Sequence, residues 1–197
     1  IQFLMKYLIK NIPLMKTLFF LLLSTAAFAQ NDKSGVYLTF DDYLNNKLSY
    51  EINCATEKHT IRLNEFLNES YITVIHNGVQ TKLSKESTYG FISCSEPLAR
   101  FQNNEHFHLA EKGSVWIFYK EVAVPEGKGS KMERRYYFST KGDGKLMELT
   151  AENLKQSFPE NHKLHDMLDM NSSNNIDQYD TFHKMFRVNH FLLECSK

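Results

Sequence analysis

The run Tyr71-Ile72-Thr73-Val74-Ile75-His76-Asn77-Gly78-Val79-Gln80-Thr81-Lys82-Leu83 decides the fold class of this chain. Its first six residues are mainly β-branched or aromatic, and residues 79–83 alternate apolar with polar side chains, as strands with one buried face do. Asn77-Gly78 stands between the two halves. This dipeptide favours a type I′ turn, because both central residues of that turn need a positive φ. The run therefore predicts an antiparallel hairpin.

Further strand-like runs lie on both sides of this hairpin, from about Leu48 to Leu149. They are separated by turn residues, and the candidates are residues 88–94, 98–102, 106–110, 114–122, 134–140 and 145–149. The run Ser114–Val122 is the most apolar of them, and a loop rich in Gly and Lys is predicted from Pro125 to Lys131. Seven or eight short strands at this spacing predict an antiparallel curved sheet or a small β-barrel.

Helical patterns lie on both sides of the strand region, and the longer ones follow it. Thr39 and Thr150 each stand where a hydroxyl could cap a following helix. Apolar residues then recur at helical spacing at Leu164, Met167 and Leu168, and again at Tyr179, Phe182, Phe186 and Leu193, which we interpret as one stripe of a last helix. Strands followed by helices predict the α+β class, with C-terminal helices on one face or end of the sheet.

The first 29 residues have the three parts of a signal peptide. Lys6, Lys10 and Lys16 precede an apolar run, no acidic residue is present, and Ala27-Phe28-Ala29 supplies small residues for cleavage before Gln30. Translation from Met5 or Met15 would make residues 1–14 an extension of the gene model. The apolar run is too short to span a bilayer, and no cysteine follows it for lipoprotein anchoring. We predict an exported chain, periplasmic or secreted, with residues 30–197 as a single domain.

Composition limits the classes of partner. The 197 residues include 23 basic and 23 acidic side chains, 42% hydrophobic residues and 13% aromatic ones, which is typical of a folded domain with a core. A balanced charge argues against nucleic-acid binding. Residues 1–29 hold three lysines and no acid, so the remaining chain has a formal charge of −3. The basic stretch Lys128–Arg135 is interpreted as the solvated rim of a loop.

Neither the cysteines nor the common catalytic motifs identify an enzyme. In an exported protein Cys54 and Cys94 could form a disulfide and leave Cys195 single, although three buried free thiols would also fit an odd count. The sequence has no Gly-x-Ser-x-Gly elbow, no Walker A pattern and no Gly-x-Gly-x-x-Gly. We therefore assign no catalytic residue, and the binding residues stay unknown.

Histidines and aromatic residues supply the remaining hypotheses. His162 and His165 lie at i, i+3 on a predicted helix near Asp166 and Asp169, and His106 and His108 share one face of a predicted strand; either pair could ligate zinc. Both pairs suit an ordinary solvated face better, and so do His183 and His190, seven residues apart on the predicted last helix. We assign no metal ligand and no cofactor. Trp116 and Phe118 could line a cavity in a curled sheet, but a core position suits them better.

Several segments taken in order resemble a group of small exported proteins of unknown function that is typical of Bacteroidota-type bacteria. The resemblance is carried by Gly35–Tyr43, Asn45-Asn46-Lys47, Tyr89-Gly90-Phe91, Tyr136–Ser139, Leu149–Leu154 with Phe158-Pro159, Tyr179-Asp180, His183-Lys184 and Val188-Asn189. It implies export and a single domain. It implies no activity, ligand or catalytic residue.

These observations predict an exported, non-catalytic domain that binds an unknown protein or small ligand in the cell envelope, or has a structural role there. Two alternatives stay open. The first is a metal-dependent hydrolase with ligands drawn from His106, His108, His162 or His165. The second is a small-ligand carrier with a cavity near Trp116.

Overall fold

The structure is a computed structural model that describes residues 31–66, 68–170 and 175–196. The signal-peptide prediction for residues 1–29 lies outside this part of the chain. The strands are β1 (Lys33–Tyr37), β2 (Ser49–Asn53), β3 (Thr60–Arg62), β4 (Tyr71–His76), β5 (Val79–Ser84), β6 (Gly90–Ile92), β7 (Ala99–Gln102), β8 (Glu105–Lys112), β9 (Trp116–Glu126), β10 (Gly129–Ser139), β11 (Met147–Glu148), β12 (Tyr179–Asp180) and β13 (Met185–Phe186). The helices are α1 (Phe40–Leu44), α2 (Ala151–Ser157), α3 (His162–Met170) and α4 (Arg187–Cys195).

The main sheet is open and antiparallel. Its eight strands follow the order β11-β10-β9-β8-β7-β6-β1-β2, and β3-β4-β5 form a separate three-stranded sheet. The prediction of an α+β fold with a curved sheet and C-terminal helices is confirmed. The alternative of a small barrel is wrong, because β11 and β2 are the two edges of the sheet and do not pair with each other.

One face of the main sheet carries both neighbouring layers. Residues directly opposite each other on antiparallel strands point to the same face, and the register runs along one face through Val36, Phe91, Ala99, His108 and Tyr119. At one end, Val36 and Phe91 pack with Ile72 and Val74 of the small sheet. At the other end, Ile117 of β9 and Phe138 of β10 pack with apolar side chains of α2, α3 and α4.

A loop covers the opposite face. The buried Arg100 donates to the carbonyl oxygens of Gly142 and Asp143, at 3.2 and 3.0 Å. Gln102 exchanges two hydrogen bonds with the backbone of Leu146, and Leu146 packs on buried aromatic side chains of β8 and β9. The loop therefore stays against the sheet through backbone groups as well as through apolar contact.

The predicted Asn77-Gly78 turn and the two predicted helix caps are present at the predicted residues. Val79 pairs with His76 across the turn, where Asn77 has φ 51° and Gly78 has φ 77°. The Thr39 hydroxyl accepts from the amide of Asp42 at the start of α1, and the Thr150 hydroxyl accepts from the amide of Asn153 in α2. Local sequence was sufficient for these features, because each depends only on residues within one turn.

Two predictions of local structure are wrong. The stretch Pro125–Lys131 is not a loop, because β9 and β10 continue as a ribbon to the two-residue turn Gly127-Lys128, so Lys128–Arg135 does not border a loop but lies mostly in a strand. The stripe from Tyr179 to Leu193 is not one helix, because residues 179–186 form the hairpin β12–β13 and α4 begins at Arg187. Lys184, at φ 56°, cannot continue a right-handed helix.

Of the two alternatives for the cysteines, a single disulfide or three free thiols, the structure has the disulfide. Cys54 and Cys94 form a disulfide, and Cys195 is free and half-buried. Among the described residues, every helix is too short or too polar to cross a membrane.

Candidate functional site

A cleft of about 380 Å³ lies between the small sheet and the main sheet. Ser34 of β1 and His59, which directly precedes β3, line it together with the disulfide. The disulfide joins the residues that follow β2 and β6, the two strands that flank β1. This wall of the cleft is therefore held to the main sheet by a covalent bond.

The lining combines an apolar floor with a polar pair and a charged rim. The floor consists of Ile52, Ile61, Leu63 and Phe91, and the rim carries Glu57, Lys58 and Glu96, all three of them exposed. Small-molecule sites usually have this composition, with apolar walls and a few placed polar groups, and their volumes begin at roughly 300 Å³.

Ser34 and His59 are joined by a short hydrogen bond. The Ser34 Oγ lies 2.6 Å from His59 Nε2 and 2.9 Å from the carbonyl oxygen of Ile92. The other ring nitrogen, His59 Nδ1, lies 3.0 Å from the carbonyl oxygen of Tyr50. Because a carbonyl only accepts, Nδ1 carries a proton, and in the neutral ring Nε2 then accepts the hydroxyl proton of Ser34.

The pair responds to protonation of the imidazole. In the neutral state Nε2 and the Ile92 carbonyl compete for one hydroxyl proton. In the charged state Nε2 donates to the Ser34 oxygen, and the hydroxyl turns fully to Ile92. Burial lowers the pKa of His59, since it penalises the charged form, and the nearby His76 lowers it further. The neutral pair is therefore the form present at pH 7.

The chemistry of this pair suits binding better than nucleophilic attack. A hydrogen bond between hydroxyl and imidazole is the first requirement of a serine nucleophile. However, Ser34 is only 2% exposed and lies within β1, between two paired strands, instead of on a turn that would present its oxygen. The imidazole edge of His59, which is half-buried, is the more accessible polar group.

His106 and His108, proposed above as possible metal ligands, are adjacent but differently engaged. Their ring centroids lie 4.9 Å apart. His106 Nδ1 lies 2.6 Å from Glu65 Oε1, whereas His108 stacks on Tyr119. Burial lowers the pKa of His108, and its Nδ1 has no hydrogen-bond partner. His106 thus connects β8 to the β3–β4 loop through Glu65, and the pair belongs to no group of three close ligand side chains among the described residues.

His162 and His165 lie on α3 with ring centroids 6.0 Å apart. His165 Nε2 is 2.9 Å from the carbonyl oxygen of Phe158, so it satisfies the end of α2. Asp169 accepts from Lys155 at 2.6 Å. Both contacts join α2 to α3. Within the described residues, His162 and His165 belong to no group of three close ligand side chains.

Trp116 lies among aromatic rings. Its ring centroid is 6.0 Å from that of Phe40 and 5.9 Å from that of Tyr43, and the Nζ of Lys112 lies 5.2 Å from it. Gly142 packs so closely that an added Cβ would be 2.9 Å from the indole. These contacts favour a packed position over the lining of a ligand cavity.

Two groupings were missed from the sequence. Ser34 and His59 are 25 residues apart, and no local pattern connects them. Asp180, His183 and His190 form a second group, described below, in which the Asp-x-x-His spacing was the available signal. The sequence placed His183 and His190 on one helix, whereas the structure brings them together from a turn and a helix.

Fold and site together define an α+β domain with a disulfide-bordered cleft between two antiparallel sheets. Comparison with protein families, with curated proteins and with solved structures finds no match to this chain.

Proposed function

We propose that this protein is an exported, non-catalytic binding domain of the cell envelope, and that the cleft at Ser34 and His59 is its binding site. The observation that carries the proposal is the cleft itself, in which an apolar floor faces a hydrogen-bonded polar pair beside a disulfide. The resemblance to small exported proteins of Bacteroidota-type bacteria agrees with this location.

The Cys54–Cys94 bond supports export. Disulfides persist in oxidising compartments such as the periplasm and the extracellular space and are rare in the cytosol. In such a compartment the bond would keep this wall of the cleft covalently linked across the ends of β2 and β6.

The lining indicates the chemistry of the ligand. Ile61 and Phe91 offer contact to an apolar ring or branched side chain, and His59 offers hydrogen bonding to a polar tip. Two carboxylates and one lysine on the rim favour a neutral or cationic ligand over an anion. We therefore propose a small molecule, or a side chain of a partner protein, that combines an apolar body with a hydrogen-bonding end.

A fragment screen by NMR tests this proposal. Phenol, indole and benzamide at millimolar concentration should shift the amide signals of Ser34 and Phe91. The variant Ser93→Trp, which places a large ring at the cleft wall, should abolish the shifts. Ser95→Trp, in the same loop but outside the lining, should keep them. Binding that ignores both variants, or that is lost in both, would refute the assignment.

An ester substrate separates binding from catalysis. We expect hydrolysis of p-nitrophenyl acetate by the wild type to equal that of Ser34→Ala, because the Ser34 hydroxyl is buried and engaged by backbone and imidazole. Hydrolysis above this level that requires Ser34 would replace the binding proposal with a hydrolase.

A further inference from the structure

Three potential ligand side chains meet where the C-terminal hairpin turns into the last helix. Asp180 ends β12, His183 lies in the turn before β13, and His190 lies in α4. Each offers one ligand atom, and these atoms all lie within 4.8 Å of one another. Among residues 31–66, 68–170 and 175–196, they are the one such group of three His, Cys, Asp or Glu side chains.

The two imidazoles are stacked. Their ring centroids lie 3.8 Å apart, with an angle of 20° between the ring planes. His183 Nδ1 also lies 2.7 Å from Asp180 Oδ2. The stacking therefore brings one nitrogen of each ring close to the Asp180 carboxylate.

We propose that Asp180, His183 and His190 bind one divalent transition-metal ion of the zinc class. Imidazole nitrogens are borderline ligands, so two of them with one carboxylate oxygen suit zinc, copper and nickel better than calcium or magnesium. Ligands of a tetrahedral zinc ion lie about 3.4 Å apart, so the observed donors need to move by roughly 1 Å to coordinate it. His183 is exposed and can rotate by that amount.

Separate anchors hold the two halves of this site. The Oδ1 of Asp180 accepts from the amides of Phe182 and His183, at 2.9 and 3.1 Å, which fixes the carboxylate and the turn. On the helical side, Asn189 directly precedes His190 and bonds to both backbone groups of Val115 in the main sheet. The backbone on both sides of the site is thus anchored before an ion arrives, so coordination needs only a small rotation of side chains, which lowers the cost of ordering them.

A four-coordinate ion would take one further ligand besides these three. Glu194 lies one turn beyond His190 on α4, with its Oε1 3.7 Å from His190 Nε2. Water or this carboxylate can complete a four-coordinate ion. A bound ion would connect the turn of β12–β13 to α4 and so stabilise the end of the chain. None of these residues lines the cleft, so this inference is independent of the proposed ligand binding.

Zinc titration of the full chain, stripped with EDTA and dialysed, tests the proposal by calorimetry. We expect one equivalent per chain with a dissociation constant on the order of micromolar. His183→Ala and His190→Ala should each weaken binding by about tenfold or more. His162→Ala is the matched control, because it also removes one histidine from a histidine pair on the surface of a helical segment, and it should leave the affinity unchanged.

Cobalt supplies a readout that reports coordination directly. Co²⁺ added to the wild type should give visible absorption bands of a nitrogen- and oxygen-ligated ion, and His183→Ala should lose them although its circular dichroism is that of the wild type. A wild-type dissociation constant weaker than about 1 mM, or equal affinity in His183→Ala and the wild type, would overturn the proposal. Equal loss in His162→Ala would overturn it as well.

Discussion

Replacement of Asn189 by alanine is expected to destabilise this chain strongly, because its side-chain amide joins α4 to the main sheet. Asn189 is 3% exposed. Its Oδ1 accepts from the amide of Val115 at 2.9 Å, and its Nδ2 donates to the carbonyl oxygen of Val115 at 3.1 Å and to Glu111 Oε1 at 2.5 Å. One side chain thus satisfies both backbone groups of a residue that is completely buried.

The magnitude follows from what Asn189→Ala leaves behind. The Val115 N–H loses its partner in a place that water does not reach, and a buried polar group left unpaired costs about 1–3 kcal/mol. The Val115 C=O retains the amide of Gly113, at 3.2 Å. The carboxylate of Glu111 retains the amide of Phe186, at 2.9 Å, and adds little. We expect a loss of roughly 2 kcal/mol, a sizeable share of the 5–15 kcal/mol typical of a folded domain. In a domain of this size that lowers Tm by about 4–8 °C.

Thermal and urea denaturation measure this loss. Asn189→Ser keeps one hydrogen-bonding group and should fall between the wild type and Asn189→Ala. Asn153→Ala is the control, because its side-chain amide makes one exposed bond to the Glu148 carbonyl and should cost about 1 kcal/mol or less. Hydrogen exchange should show a slow Val115 amide in the wild type and a faster one in Asn189→Ser. A fall in Tm for Asn189→Ala no larger than for Asn153→Ala would refute the reasoning.

Three other predictions concern the disulfide, one turn and two histidines. The double variant Cys54→Ser, Cys94→Ser opens a loop closed over a separation of 40 residues and should lose about 4 kcal/mol by chain entropy, measured in urea; an unchanged midpoint would contradict this. Gly78→Ala should cost about 1 kcal/mol, because Gly78 has φ 77° with no atom near its missing Cβ, whereas Gly129→Ala, at ordinary φ, should cost at most half of that; equal costs would refute the turn assignment. Burial lowers the pKa of His59 and His108, so the unfolded chain takes up protons first as pH falls through the ordinary value of 6.5, and the free energy of unfolding should decline below that pH. His108→Phe should flatten this decline, and a pH profile unchanged by the substitution would contradict the assignment of His108.

The sequence predicted the features that arise within a few residues. The Asn77-Gly78 turn and the capping hydroxyls of Thr39 and Thr150 act on backbone groups within one turn of the chain, so their identity determines the local structure. The pairing of Cys54 with Cys94 was one of two alternatives that the sequence left open, beside three free thiols, and only the structure distinguishes them.

The same reasoning failed where distant parts of the chain compete. The spacing of Tyr179, Phe182, Phe186 and Leu193 fits a helix, yet Phe182 is exposed and Phe186 is buried. Asp180 binds the amides of the turn instead, which bends the chain back into a hairpin and starts the helix at Arg187. The spacing of apolar residues does not show that a side chain accepts from the backbone amides that would otherwise form helical hydrogen bonds.

By itself the sequence determined the class of fold, because alternation, turn dipeptides and caps are short-range signals. Only the tertiary structure decided that the sheet stays open, that the small sheet and the C-terminal helices share one of its faces, and which polar residues meet. Ser34 reaches His59 across 25 residues, and His183 reaches His190 from a different element. These contacts depend on strand register and on burial, which are properties of the whole chain, and no local pattern of residues encodes them.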